Sequence, residues 1–176
     1  LAQQKINTST KYTGEADSLN RDFWAMDNTT STSINWNIHK GWYMDFPETS
    51  ERLLKPLDLY DGSNILAVYS QVPAKGTNAR ADVESCESTT VDSERQYLTL
   101  INIMDGQRPS VQLMDLNGDG IYDTTTDKYV SRQKIEKGAH TRIVDGKHIK
   151  DIGKSEEFNL ARMPEQSMRP SWRQLK

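Results

Sequence analysis

The sequence predicts an all-β chain, and three observations carry that reading. Segments of strand length alternate or run apolar, helical periodicity is poor, and Asp-Gly pairs punctuate the apolar runs at Asp61-Gly62, Asp105-Gly106 and Asp145-Gly146. An apolar period of two marks a half-buried strand, and Asp-Gly supplies the positive φ angles of a two-residue hairpin turn. The pairs recur after 44 and then 40 residues. Four-stranded propeller blades produce a period in this range. At about 40 residues per blade the chain holds at most about four blades, so it is either a small propeller or the tail of a larger one.

Taken in order, residues 1–33 form a polar N-terminal segment, partly loop. Residues 15–21 within it are the best helix candidate, and 29–33 are a Ser/Thr-rich loop. Residues 34–176 are the propeller part. Strands are expected at 34–38, 42–46, 53–60, 65–72, 97–104, 111–114, 129–133, 141–144 and 148–152, with loops at 85–93 and 163–169. The run T-R-I-V-D-G-K-H-I-K, from Thr141 to Lys150, is the clearest hairpin. A two-residue Asp-Gly turn there pairs Val144 with Lys147 and Ile143 with His148.

Residues Asp115 to Asp123 read D-L-N-G-D-G-I-Y-D. Oxygen-bearing side chains fall at loop positions 1, 3, 5 and 9, as Asp115, Asn117, Asp119 and Asp123. A hard cation takes six to eight oxygens, and alternate residues of a tight loop supply them. Gly120, at position 6, permits the sharp turn, and the Ile121 carbonyl provides the position-7 oxygen. Three carboxylates this close repel one another unless a cation neutralises them. Calcium suits the set better than magnesium, which prefers a rigid octahedron with several waters. The loop departs from the helix-loop-helix motif: position 12 is Thr126 where a bidentate Glu belongs, and Asp127 comes one place later. The flanks V-Q-L-M and K-Y-V-S alternate like strands. The expectation is a calcium loop joining two strands, set against a bare Asn/Gly/Asp turn.

Composition narrows the function classes. The net charge of −3 leaves no basic surface for nucleic acid. No apolar run approaches the ~18 residues of a membrane span, and the opening L-A-Q-Q-K-I-N lacks the apolar core of a leader peptide. Leu, Ile, Val and Phe make up about a fifth of the residues, and the mean hydropathy is −0.78. Such a thin core suits a piece that leans on other parts of a longer protein. Cys86, the single cysteine, lies in polar V-E-S-C-E-S, as a free thiol or with a partner beyond the chain. His39, His140 and His148 stand alone, without ligand-spaced neighbours. There is no Gly-x-Ser-x-Gly elbow and no His-Glu-x-x-His helix, so no catalytic constellation is expected. Glu51 and Arg52 are candidates for an inter-strand ion pair or for plain surface positions.

A series of motifs resembles a known family. K-G-W-Y-M-D-F-P (Lys40 to Pro47) followed by S-E-R-L-L (Ser50 to Leu54) is similar to the G-W-Y-L-D-L-P…G-E-R-V pattern of the PilY/PilC family of type IV pilus biogenesis factors and pilus-tip adhesins. I-L-A-V-Y-S-Q-V-P (Ile65 to Pro73), the later Cys86, Y-L-T-L-I-N-I-M-D-G (Tyr97 to Gly106), the D-L-N-G-D-G-I-Y-D loop and the closing S-W-R-Q-L (Ser171 to Leu175) follow in the family's order. The series covers about residues 35–176. Ser50 stands where the family usually has glycine before Glu-Arg, and the Cys86 loop lacks the usual Gly-Gly.

The resemblance implies the C-terminal blades of a modified β-propeller with a calcium loop between strands. It implies Ca2+ as the bound ion, with Asp115, Asn117, Asp119, Ile121 and Asp123 as metal ligands. It implies a role in pilus extension, twitching motility and surface attachment, exerted outside the cell at the pilus tip or outer surface after export through the periplasm. Minor pilins or other tip components are the implied partners, together with a host or abiotic surface receptor. Trp42, Tyr43 and Trp172 become blade core or seam residues. Two other classes compete: a purely structural extracellular module stapled by calcium, and a propeller-type enzyme.

Overall fold

In a computed structural model the chain is built of strands, without a helix among the described residues. The structure describes residues 1–14, 21–26, 31–60, 63–74, 93–144, 148–152 and 157–162, from 141 onward by backbone alone. The strands are β1 (Ala2–Gln4), β2 (Tyr12–Thr13), β3 (Asp22–Ala25), β4 (Trp42–Met44), β5 (Arg52–Leu53), β6 (Asp58–Leu59), β7 (Ile65–Val72), β8 (Arg95–Asn102), β9 (Val130–Ile135), β10 (His140–Val144), β11 (His148–Ile152) and β12 (Glu157–Arg162). The main sheet runs β2-β3-β9-β8-β7-β5, with β6 also paired to β7. A parallel pair β1-β4 and an antiparallel sheet β10-β11-β12 complete the described strands, and none of these sheets closes on itself.

The centre of the main sheet is the β7–β8 pair, in register from Ile65↔Asn102 to Val72↔Arg95. Both strands are rich in apolar and β-branched residues and are buried almost throughout. Antiparallel strands usually alternate buried and exposed residues. Here both faces are covered. On one face Ile65, Ala67 and Tyr69 join Leu98 and Leu100, under Leu113, Met114 and Leu116 from the segment between β8 and β9. On the other, Leu66, Val68 and Ile101 pack with Ile6 and Met26 and with half-buried Trp24, Trp42, Met44 and Phe46. The W-Y-M-D-F motif is therefore a lid on the second face, and the D-L-N-G-D-G segment continues the lid on the first.

Trp42 holds its lid through one close approach. Its indole N–H donates to the Ile103 carbonyl at 2.9 Å. Gly106 lies so near that a Cβ there would stand 2.4 Å from the ring, and its φ of 69° favours glycine. The Asp105-Gly106 pair thus makes a turn, but not a hairpin within the sheet, since the next strand of that sheet is β9.

A buried polar cluster pins the chain between the motif and β5. The Glu51 side chain is fully buried and pairs with Arg132, itself 2% exposed, at 2.9 Å. The Ser70 hydroxyl also donates to Glu51, and Arg132 donates to the Thr99 hydroxyl at 3.2 Å. The Arg132 guanidinium stacks over the Tyr97 ring, 4.0 Å from its centre. The Tyr97 hydroxyl donates to Glu48, which also pairs with Arg95 at 2.7 Å. Burial, then the Glu48 carboxylate, pushes the Tyr97 phenol far above its ordinary range. The ion pair is thus Glu51 with Arg132, not with Arg52, which is exposed.

Several expected elements differ. Residues 34–38 are a turn, because Asn35 caps it: its carbonyl accepts from Ile38 and His39 and its side chain from Asn37. The single strand expected at 53–60 is split into β5 and β6 around Pro56, which lacks an N–H for the ladder. Residues 111–114 run beside the sheet with a bridge at Met114 only. In the β10–β11 hairpin Val144 pairs with His148 and Ile143 with Ile149, so three residues connect the strands rather than two. Strands β1 to β3 lie within the polar 1–33 segment, their short lengths hiding any period. Most of the 15–21 helix candidate, Asp61-Gly62, Cys86 and Ser171 to Leu175 with Trp172 lie outside the described residues.

Two predictions follow from this packing. Ser50 has a φ of 67°. A left-handed conformation costs a non-glycine residue about 1–2 kcal/mol, and glycine's larger unfolded-state entropy offsets part of the gain. Ser50→Gly should therefore stabilise the chain by about 0.5–1 kcal/mol in urea titrations. For the buried pair, Arg132→Met alone should cost about 3–5 kcal/mol by stranding the Glu51 charge, whereas Arg132→Met with Glu51→Leu should recover most of it. A double variant as unstable as the single one contradicts this account.

Candidate metal centre

The loop at 115–123 lies at the end of the first-face lid. Leu113, Met114 and Leu116 bury themselves in the core and so fix where the loop begins. Its far end passes through a turn at 124–129 into β9, with Lys128 and Tyr129 both at positive φ. The loop therefore leads into a strand on one side only.

Within the loop the predicted side chains organise the backbone. Asp115 accepts from the Gly118 N–H at 2.6 Å and the Gly120 N–H at 2.8 Å. Asn117 Oδ1 accepts from the Asp119 N–H, and Asp119 Oδ1 from the Ile121 N–H, at 3.1 and 2.7 Å. The Asn117 amide donates to Asp119 Oδ2 at 2.9 Å. Gly118 and Gly120, at φ 72° and 78°, make the turns that these bonds require. Ile121 is exposed.

Asp123 anchors the turn that follows the loop. It accepts from the amides of Thr125 and Thr126, at 2.7 and 2.9 Å, and from the Thr126 hydroxyl at 2.7 Å. The Thr126 hydroxyl first, then the two amides, hold its carboxyl below the usual range, with Lys128 adding attraction. A depressed folded value means that this anchor is intact at neutral pH and is lost on acidification through that lower value.

The structure thus brings Asp115, Asn117 and Asp119 together and places Asp123 at the loop's rim. Among the described residues no three His, Cys, Asp or Glu side chains converge as a ready-made ligand cluster. The donor chemistry nevertheless fits a hard divalent ion. Positions 1, 3, 5 and 9 each bring a side-chain oxygen, and a carboxylate oxygen that accepts one N–H retains a second lone pair. A cation held there would neutralise crowded carboxylates.

Asp127 is the residue whose role the sequence did not show. It is fully buried. Its carboxylate accepts from the Leu116 N–H at 2.7 Å and the Asp123 N–H at 3.0 Å. Burial, first of all, raises its carboxyl above the ordinary value, against the pull of those amides. Its two oxygens are thus engaged by the loop's own amides, with the Asp115 carboxylate nearby adding to the upward shift. Spacing alone marks Asp127 as an acidic residue one place too late, and only the backbone path reveals which groups it faces.

A second concave feature lies on the other face. A cavity of about 230 Å3 is lined by Thr8, Trp24, Pro47, Glu48 and Arg132. Its charged groups are engaged within the protein, Glu48 by Tyr97 and Arg95 and Arg132 by Glu51 and Thr99.

The architecture defines an all-β chain with one deeply buried sheet and an acidic loop in its cover. Its fold is similar to that of the C-terminal domain of PilY1 from Pseudomonas aeruginosa, a solved structure, with a TM-score of 0.59 and 14% identity. The likeness covers 91% of this chain and 32% of that one, so the chain spans about a third of the length of the structure it matches. No protein-family model matches the chain, and neither does any curated protein.

Removing the rim anchor should free the turn behind the loop without disturbing the sheet. Asp123→Ala should raise amide exchange at Thr125 and Thr126 while Leu98 and Leu100 stay protected. Unchanged exchange at both threonines contradicts the anchoring role.

Proposed function

We propose that this chain is the C-terminal, calcium-binding part of a type IV pilus assembly factor and pilus-tip adhesin, and that its strands are the last blades of a modified β-propeller. On this reading it supports pilus extension, twitching motility and surface attachment from the outer surface or the pilus tip. Minor pilins or other tip components, and a host or abiotic surface, are its partners. The observation that carries the reading is the likeness of its fold to the PilY1 C-terminal domain across nearly the whole chain. The collinear W-Y-M-D-F, S-E-R and D-L-N-G-D-G-I-Y-D series adds to it. Calcium is held by Asp115, Asn117, Asp119, Asp123 and the Ile121 carbonyl. It acts by charge neutralisation and ordering, and the chain binds and scaffolds rather than catalyses.

A structural reading of the same loop has its own support. Leu113, Met114 and Leu116 tie the loop to the core, so a cation there also staples the lid to the sheet.

Calorimetry decides the metal. The chain should bind one Ca2+ with a Kd of roughly 10⁻⁶–10⁻³ M, weaker than tight helix-loop-helix sites because no bidentate Glu closes the loop. Asp119→Ala should abolish the heat, and equal heats for the two proteins sink the assignment. The biology is decided in cells. A strain lacking the gene, with no second copy, should lose pili and attachment, and normal piliation contradicts the reading. In the full-length protein, Asp119→Ala should impair twitching at normal protein abundance if calcium regulates. A fall in motility that only tracks a fall in abundance marks the staple.

A further inference from the structure

We infer that Asp127 is a positioning residue that sets the calcium affinity of the loop from outside the ligand set, by clamping both ends of residues 115–123. The inference rests on the calcium reading above and adds to it a residue outside the expected ligands.

The clamp is visible in four bonds. One carboxylate oxygen of Asp127 accepts from the Leu116 N–H at 2.7 Å, at the second residue of the loop. The other accepts from the Asp123 N–H at 3.0 Å, at the last ligand position. The Asp127 N–H donates to the Asp123 carbonyl at 3.1 Å, and its own carbonyl accepts from the Val130 N–H at 3.0 Å. Val130 is the first residue of β9 and part of the main core. A single residue thus holds the entry and the exit of the loop with its side chain and ties them to the central sheet with its backbone.

Burial sets Asp127 apart from the exposed part of the ligand set, while the half-buried Asp115 carboxylate lies near it. Asp127 is fully buried, whereas Asp119 and Ile121 stand exposed at the loop's tip. Each of its two oxygens faces an amide of the loop's backbone. Its effect on a cation passes through the backbone it holds, together with its charge, which the Asp115 carboxylate also feels. With both ends already in place, less ordering is left to be done at binding, and affinity rises accordingly. Without the clamp the amide of buried Leu116 loses its acceptor, which is costly away from water.

The test compares the chain with Asp127→Asn, which keeps the shape but sets an N–H2 against an amide N–H. Outer partners of metal sites typically change affinity by about 10–100-fold. Calorimetry with Ca2+ should show Kd rising by on the order of tenfold or more in Asp127→Asn, with stoichiometry still one. Luminescence lifetimes of bound Tb3+ in H2O and D2O should report the same number of metal-bound waters in both proteins. In the metal-free proteins, amide exchange at Leu116 and Asp123 should be faster in the variant.

Equal Kd values overturn the inference. Weaker binding with an added metal-bound water also overturns it, because Asp127 would then be a ligand. If the unaltered chain takes up no Ca2+, the calcium reading itself fails, an outcome distinct from the other two. Asp127→Ser, which keeps one acceptor, replaces Asp127→Asn if the latter does not fold. If neither folds, the metal-free unaltered chain decides. Leu116 and Asp123 amides protected like those of β9 support the clamp, and exchange at the rate of an open loop overturns it.

Discussion

The β7–β8 pair needs cover on both faces, and most of the rest of the fold is that cover. An eight-residue antiparallel pair with nearly every side chain buried cannot stand with one face in water. One face is closed by Leu113, Met114 and Leu116, the other by Ile6 and Met26 with Trp42, Met44 and Phe46 of the W-Y-M-D-F motif, whose Tyr43 is exposed. The chain is otherwise polar, so these few residues carry much of the apolar burial that holds it together. The two lids are therefore stability elements first, and any function they carry is built on that duty.

The Arg132–Glu51 pair shows the cost of covering both faces. At that end of the sheet the lid is polar, and the charges remain buried only because each finds partners: Thr99 and Tyr97 for Arg132, Ser70 for Glu51. Such a cluster contributes less to stability than an apolar substitute of similar shape, but it is unforgiving of losing one member. It also fixes the path from Pro47 to β5. Ser50 is carried through a left-handed conformation there, which accounts for the glycine that the resembled pattern has before Glu-Arg.

The sequence made the long strands legible. β7 and β11 are matched at both ends, and β8, β9 and β10 within two residues; for β7 and β8 the reason is that apolar runs of that length leave little freedom. It failed where the local chemistry of one residue overrides a pattern, as Asn35 does at 34–38 and Pro56 does between β5 and β6. It also failed where strands are too short to show a period, as in β1 and β2. The acidic loop was legible as a set of oxygens at alternate positions. Two things were not: Asp123 turns toward Thr126, and the buried Asp127 holds both ends of the loop. Arg132 in Y-V-S-R-Q-K-I gives no sign that it faces inward.

The same lid that covers the core ends in the acidic loop, so a cation bound there, as proposed, would link occupancy of the loop to stability of the sheet. A ligand that binds only the folded chain adds about 2.7 kcal/mol at a hundredfold excess over its Kd. The most direct measurement is therefore thermal unfolding of the chain across a calcium series, with chelator as the zero point and magnesium as the control. The account predicts a melting temperature that climbs steadily with calcium, falls back on chelation and responds weakly to magnesium. A melting temperature indifferent to calcium at concentrations well above 10⁻³ M, the weak end of such loops, would contradict it.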